Sequence, residues 1–115
     1  MPFEYLGNSS ATIYVGGNYY TFAVEPERAY TAQVQLDGLE GRLIHIDIAV
    51  NFDLGGGPAW RNVWTSGEFT PTDADGYGEV PALTIPPFSV AREARMDVWL
   101  VTGTDGSITW DLFGL

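Results

Sequence analysis

His45 is the only histidine in the chain, and Asp47 follows it at the spacing that puts two strand side chains on one face. A His–Asp pair can move a proton or help hold a metal. A catalytic zinc needs three protein ligands, however, and there is neither a second histidine nor any cysteine to complete the set. A solvated position on a sheet is therefore the preferred reading of His45. Ser9, Ser10, Ser66, Ser89 and Ser107 would each need that same histidine as a base, and Ser66-Gly67 lacks the flanking glycines of a nucleophile elbow. Glu68, Glu79 and Asp97 could supply the paired carboxylates of a glycosidase, but acidic residues on edges and loops ordinarily serve solvation. Thr72-Asp73-Ala74-Asp75-Gly76 has alternate oxygen ligands without the bidentate Glu that closes a calcium loop, and reads better as a polar turn. Gly55-Gly56-Gly57 has neither the Gly-Lys-Ser/Thr nor the helix of a phosphate loop. No catalytic residue, metal site or cofactor is expected.

The aromatic residues carry more information. Trp60 and Trp64 bracket Arg61, Trp99 alternates with the apolar Val98 and Leu100, and Tyr19 opposes Tyr20 and Phe22. If Trp99, His45, Asp47, Gln33 and Gln35 share one open sheet face, they make a platform for a sugar: an aromatic plane with amides and a carboxylate around it. Outward Trp and Tyr side chains equally suit a protein–protein interface, which is the preferred reading. A glycan ranks second, and packing beneath a long loop third.

The elements that must position these residues are strands. Apolar residues recur with a period of two, and no stretch sustains a helical period. In residues 42–52, Ile44, Ile46, Ile48, Val50 and Phe52 point one way, and Leu43, His45, Asp47, Ala49 and Asn51 the other. Tyr30, Ala32, Val34 and Leu36 alternate with Thr31, Gln33 and Gln35, and the turn through Asp37-Gly38 and Glu40-Gly41 is expected to join these two strands as a hairpin. Further strands are expected at 11–15, 19–24, 61–69, 79–85, 95–101 and 108–112. Gly16-Gly17-Asn18 separates the first two, and Pro86-Pro87 ends the sixth. One helical turn is expected at 89–94. About eight strands at this spacing predict an all-β, two-sheet antiparallel sandwich filling residues 1–115 as one domain.

Composition narrows the function. With 45% apolar residues in 115 the chain can build a core, and no run approaches the length that spans a bilayer. A net charge of −10 disfavours nucleic acid and anionic membrane surfaces as partners. The segment Met1-Pro2-Phe3-Glu4-Tyr5 has no basic or apolar export signal, so synthesis in the cytoplasm is expected. The absence of lysine, with five arginines, suits a GC-rich coding sequence.

Alternation alone does not separate an immunoglobulin-like sandwich from a jelly roll. The stretch Ala23-Val24-Glu25-Pro26-Glu27-Arg28-Ala29-Tyr30-Thr31-Ala32 resembles a segment of family 4/9-type carbohydrate-binding modules in which a proline turn delivers a buried Tyr into a long strand. Glu27 stands where those modules carry Gly. Asn51-Phe52-Asp53-Leu54-Gly55-Gly56-Gly57, Leu83-Thr84-Ile85-Pro86-Pro87 and the closing Ile108-Thr109-Trp110-Asp111-Leu112-Phe113-Gly114-Leu115 are similar to later parts of the same pattern, in order. The resemblance implies a jelly roll. Similar domains occur in virion proteins of tailed phages of actinobacteria. Together these readings predict a non-enzymatic virion accessory protein that contacts a capsid or tail protein, with an oligomer on the particle compatible with that role. A carbohydrate-binding module for a cell-wall or surface glycan is the alternative.

Overall fold

The computed structural model describes residues 4–53, 58–72, 83–88, 91–103 and 105–115. Eight strands follow in order: β1 (Glu4–Ile13), β2 (Gly16–Ala23), β3 (Tyr30–Asp37), β4 (Ile44–Asp53), β5 (Pro58–Phe69), β6 (Leu83–Ile85), β7 (Ala91–Leu100) and β8 (Gly106–Gly114). They form two four-stranded antiparallel sheets, sheet I in the order β1-β8-β3-β6 and sheet II in the order β2-β7-β4-β5. The pairs β1–β8, β2–β7, β3–β6 and β4–β5 are those of one long antiparallel ribbon, its first half lying against its second. Wrapping that ribbon over itself adds β3–β8 and β4–β7 and closes a jelly roll.

Alternation builds the core between the sheets. Sheet I contributes Tyr30, Ala32, Val34, Leu36, Leu83, Ile85 and Ile108, and sheet II contributes Ile44, Ile46, Ile48, Val50, Ala94, Met96, Val98 and Leu100, all buried. Tyr20 of β2 closes one side: its ring lies 5.2 Å from that of Trp110 in β8, and its hydroxyl donates to the Thr12 carbonyl of β1 (3.2 Å). Asn18, also buried, fixes the β1–β2 connection. Its amide donates to the carbonyls of Tyr14 (2.8 Å) and Val98 (3.1 Å), and its Oδ1 accepts the Tyr14 N–H.

Several sequence expectations need correction. The strands β3 and β4 do not form a hairpin, because they lie in different sheets. Between them Leu39 turns inward and is fully buried, with Gly38 and Gly41 on either side at φ of +69° and +76°. Two left-handed residues around a buried apolar one carry the chain across the end of the core instead of reversing it within a sheet. Another correction concerns the expected helical turn: residues 91–94 are the start of β7, paired with both β2 and β4, and residues 89–90 lie outside the described residues. The strand β1 also runs much further back than 11–15, and Gly16-Gly17-Asn18 opens β2 rather than preceding it.

The segment before β3 places Tyr30 in the core, its hydroxyl accepting the Glu25 N–H (2.7 Å). Glu27 adopts φ of +65°, alone among the described non-glycine residues, and its N–H donates to the Phe88 carbonyl (2.9 Å). Arg28 ties both ends of the chain here, meeting Glu4 at 3.0 Å and donating from Nε to the Leu115 carbonyl at 2.9 Å.

Candidate functional site

The outer face of sheet II is built by alternation within strands and by register between them. Reading across β2, β7, β4 and β5, one row is Gly17, Trp99, His45 and Glu68, and the next is Tyr19, Asp97, Asp47 and Thr65. The third row is Thr21, Arg95, Ala49 and Asn62, and the fourth is Ala23, Glu93, Asn51 and Trp60. Residues that are distant in sequence thus become neighbours only through the β4–β7 and β2–β7 pairings.

A continuous ridge crosses these rows. The ring centroids of His45 and Trp99 lie 6.0 Å apart with their planes 33° from parallel. Trp99 meets Tyr19 edge-on at 6.2 Å. The Arg95 guanidinium carbon then lies 5.0 Å from the Tyr19 ring centre and 4.7 Å from that of Trp60, a cation shared by two aromatic faces. Gly17 leaves room beside this ridge: a Cβ there would sit 3.0 Å from both the Trp99 ring and the Tyr19 hydroxyl and would push these side chains aside by a few tenths of an ångström.

Beneath the ridge lies a charge cluster. Arg95 Nη2 donates to Asp97 Oδ2 (3.1 Å), while Nε approaches Oδ1 to 2.6 Å without the alignment of a hydrogen bond, so that contact is ionic. The Asp97 side chain is only 8% exposed. Burial raises its pKa above the ordinary carboxylate value; Arg95 opposes the rise, and Asp47, its partner across the strands, adds to it. His45 Nε2 lies 3.7 Å from Asp47 Oδ2. One row further on, Asn51 donates to Glu93 (2.9 Å) and accepts the Ala59 N–H (3.0 Å).

The seven residues singled out from sequence are divided. His45, Asp47, Trp99 and Trp60 share this face. Gln33 and Gln35 do not: they lie on the outer face of sheet I, across the sandwich, because β3 and β4 separate into different sheets. Trp64 is turned towards the core. In a regular strand Trp60 and Trp64 would face the same way, but β5 carries one extra residue where its pairing shifts between Ile48 and Ala49, and the bulge reverses the alternation. A second shift, between His45 and Asp47, is filled by Ser66. Its hydroxyl accepts the Ile46 N–H (2.9 Å) and donates to the Gly67 carbonyl (2.7 Å), so this side chain is committed to the backbone. Ser9, Ser10 and Ser107 belong to sheet I, away from His45. Glu79, Ser89 and the Asp73-Ala74-Asp75-Gly76 turn lie outside the described residues.

No protein-family model and no curated protein sequence matches the chain. Among solved structures, the chain is similar to the mitogen derived from Yersinia pseudotuberculosis. The likeness has 10% identity and a TM-score of 0.54, and it covers 93% of this chain and 85% of that one. A de novo designed double-stranded β-helix matches at 12% identity and a TM-score of 0.39, over 96% of this chain and all of that one. At such identities the likeness to the mitogen bears on the fold alone.

Arg95, Asp97 and Tyr19 are the central residues that sequence reasoning left out of the candidate surface. Each alternates outward on its own strand, as His45 does on β4. That signal was available, but it acquires meaning only once β7 is set between β2 and β4.

Proposed function

We propose that this chain is a non-enzymatic binding domain, a virion accessory part that docks on a capsid or tail protein through the outer face of sheet II. The observation that carries this reading is the ridge of Tyr19, Trp99, Arg95 and Trp60 on an open sheet. Tyr, Trp and Arg are the residue types that dominate protein interfaces, and here their rings and guanidinium are already held by one another, which lowers the entropy lost on docking. The −10 charge favours a partner with a basic, repeating surface. The commitment of Ser66 to backbone hydrogen bonds supports a role without catalysis. The particle setting rests on the sequence resemblance and the lysine-free composition.

The test is to purify particles from the producing cells and quantify the chain on them. Stoichiometric copies, lost with Trp99→Ala and Tyr19→Ala while both variants keep the wild-type melting profile, are the expected result. Absence from particles sinks the proposal.

A glycan partner is the second reading. It is favoured by the exposed Trp99 ring with the tilted His45 ring 6.0 Å from it and the Asp47 carboxylate nearby, an aromatic surface with polar groups beside it that suits a sugar ring and its hydroxyls. Titration against cell-wall and surface glycans, with a loss of affinity on Trp99→Ala, separates this reading from the first.

A further inference from the structure

We propose that two copies of this chain pair edge to edge along β1, extending sheet I across a two-fold axis into an eight-stranded sheet. Residues 5–24 contain no Asp, Glu, Lys, Arg, His or Pro, in a chain with fifteen acidic and five basic residues. This stretch is β1 after Glu4, then β2 and the connection between them, and each strand is the outermost of its sheet. The Tyr20 contacts with Thr12 and Trp110 place both edges on the same side of the sandwich.

Open edges are ordinarily protected by charge, proline, bulges or shortness. The opposite side follows that rule: among the described residues β6 has three, and β5 carries two register shifts together with the exposed Arg61 and Glu68. On the other side, β1 carries a single register shift, between Tyr5 and Gly7, near its start. From Gly7 to Ile13 its register with β8 is unbroken, leaving a regular strand edge.

Exposed apolar side chains collect in the same place. Among the described residues, Tyr5, Leu6, Tyr14, Val15 and Tyr19 are five of the eight large hydrophobic side chains left exposed. A two-fold axis at Ser10, perpendicular to the sheet, keeps inner and outer faces aligned. It sets Gly7 opposite Ile13 of the second copy, Asn8 opposite Thr12 and Ser9 opposite Ala11, all within the unbroken stretch of β1. The edge is therefore self-complementary, with uncharged residues facing uncharged residues along the whole pairing. From Tyr5 to Ile13 this edge carries no charge, and Glu4 at the start of β1 is already paired with Arg28, so charge favours a second copy over a basic partner. It is also the side on which two chains of charge −10 approach with least repulsion.

Sedimentation analysis of the wild-type chain is expected to give twice the chain mass of 12.6 kDa. Ser10→Lys sets two like charges opposite one another and raises the dissociation constant at least about tenfold. Asn62→Lys, on the exposed face of β5, leaves it unchanged. Because the chain has no cysteine, Ser10→Cys provides a second readout that does not depend on tolerating a charge. It forms a covalent dimer under mild oxidation, whereas Asn62→Cys does not. A monomeric wild type at every concentration, a dimer indifferent to Ser10→Lys, or equal cross-linking at positions 10 and 62 overturns the proposal.

Discussion

The outer faces of the two sheets come from the same alternating pattern and carry different chemistry. On sheet I the rows are made of Asn8, Ser10 and Thr12 from β1, Ser107, Thr109 and Asp111 from β8, and Gln33, Gln35 and Asp37 from β3. These are short or flexible polar groups that bond to one another at the surface, as Gln35 does to Asp37 (3.3 Å) and Tyr5 to Asp111 (3.3 Å). On sheet II the corresponding positions hold Tyr19, Trp60, Trp99, His45, Arg95 and two aspartates, and the aromatic groups lie over the charged ones. Water alone can satisfy the first face. The second carries a nearly buried carboxylate whose charge depends on a single arginine, and that arginine on the rings around it. A chain that needed only a soluble exterior would have no use for the second arrangement, which is why the binding proposal is placed there.

The contrast can be broken most severely at Arg95. Arg95→Ala leaves Asp97 buried without its cation and separates Tyr19 from Trp60, and it is expected to lower stability by about 2–3 kcal/mol in urea unfolding. A loss below about 0.5 kcal/mol, the usual range for surface changes, would show that the cluster is no more demanding than the face of sheet I.

Glu27→Gly touches neither face and calibrates the others. It relieves an exposed residue held at φ of +65° and is expected to raise stability by about 1 kcal/mol, less the added freedom of glycine in the unfolded chain. Thermal melts of the two proteins check it.

Asp97 adds a smaller, pH-dependent term. Its folded pKa is raised, so the folded chain binds its proton more tightly than the unfolded chain does. Its contribution to stability is present below the ordinary value of 3.8 and is lost as pH rises through the raised one. Asp97→Asn removes that loss, so the variant should gain on the wild type as pH rises from below 3.8 to neutrality. A difference that stays flat across this range would mean that burial does not govern Asp97. Smallest of all, Gln35→Ala on sheet I should change stability by less than about 0.5 kcal/mol and leave partner binding intact, which sharpens the distinction between the faces.

Much of this was legible beforehand. The alternation of Ile44, Ile46, Ile48 and Val50 against His45, Asp47 and Asn51 fixes which side chains of β4 face outward, and Met96, Val98 and Leu100 do the same for Trp99. Each depends on the two-residue repeat of a single strand. The division of Gln33 and Gln35 from His45 was not legible, because an Asp-Gly turn can reverse a chain within a sheet or carry it across to another. Leu39 decides between them by entering a core that exists only after both sheets form. The separation of Trp60 from Trp64 was hidden for a related reason: a bulge is a mismatch between partners, and one strand alone does not reveal it.

By itself, then, the sequence determined most of the strands, their buried faces where no bulge intervenes, the acidic exterior and the uncharged stretch at residues 5–24. These follow from local geometry and composition. Only the tertiary structure decided that β7 lies between β2 and β4, so that Arg95 meets Tyr19, Trp60 and Asp97, and that the uncharged stretch forms both edges of one side. Strand pairing is a long-range choice, set by how two apolar faces close over a common core, and no periodicity within a strand encodes it.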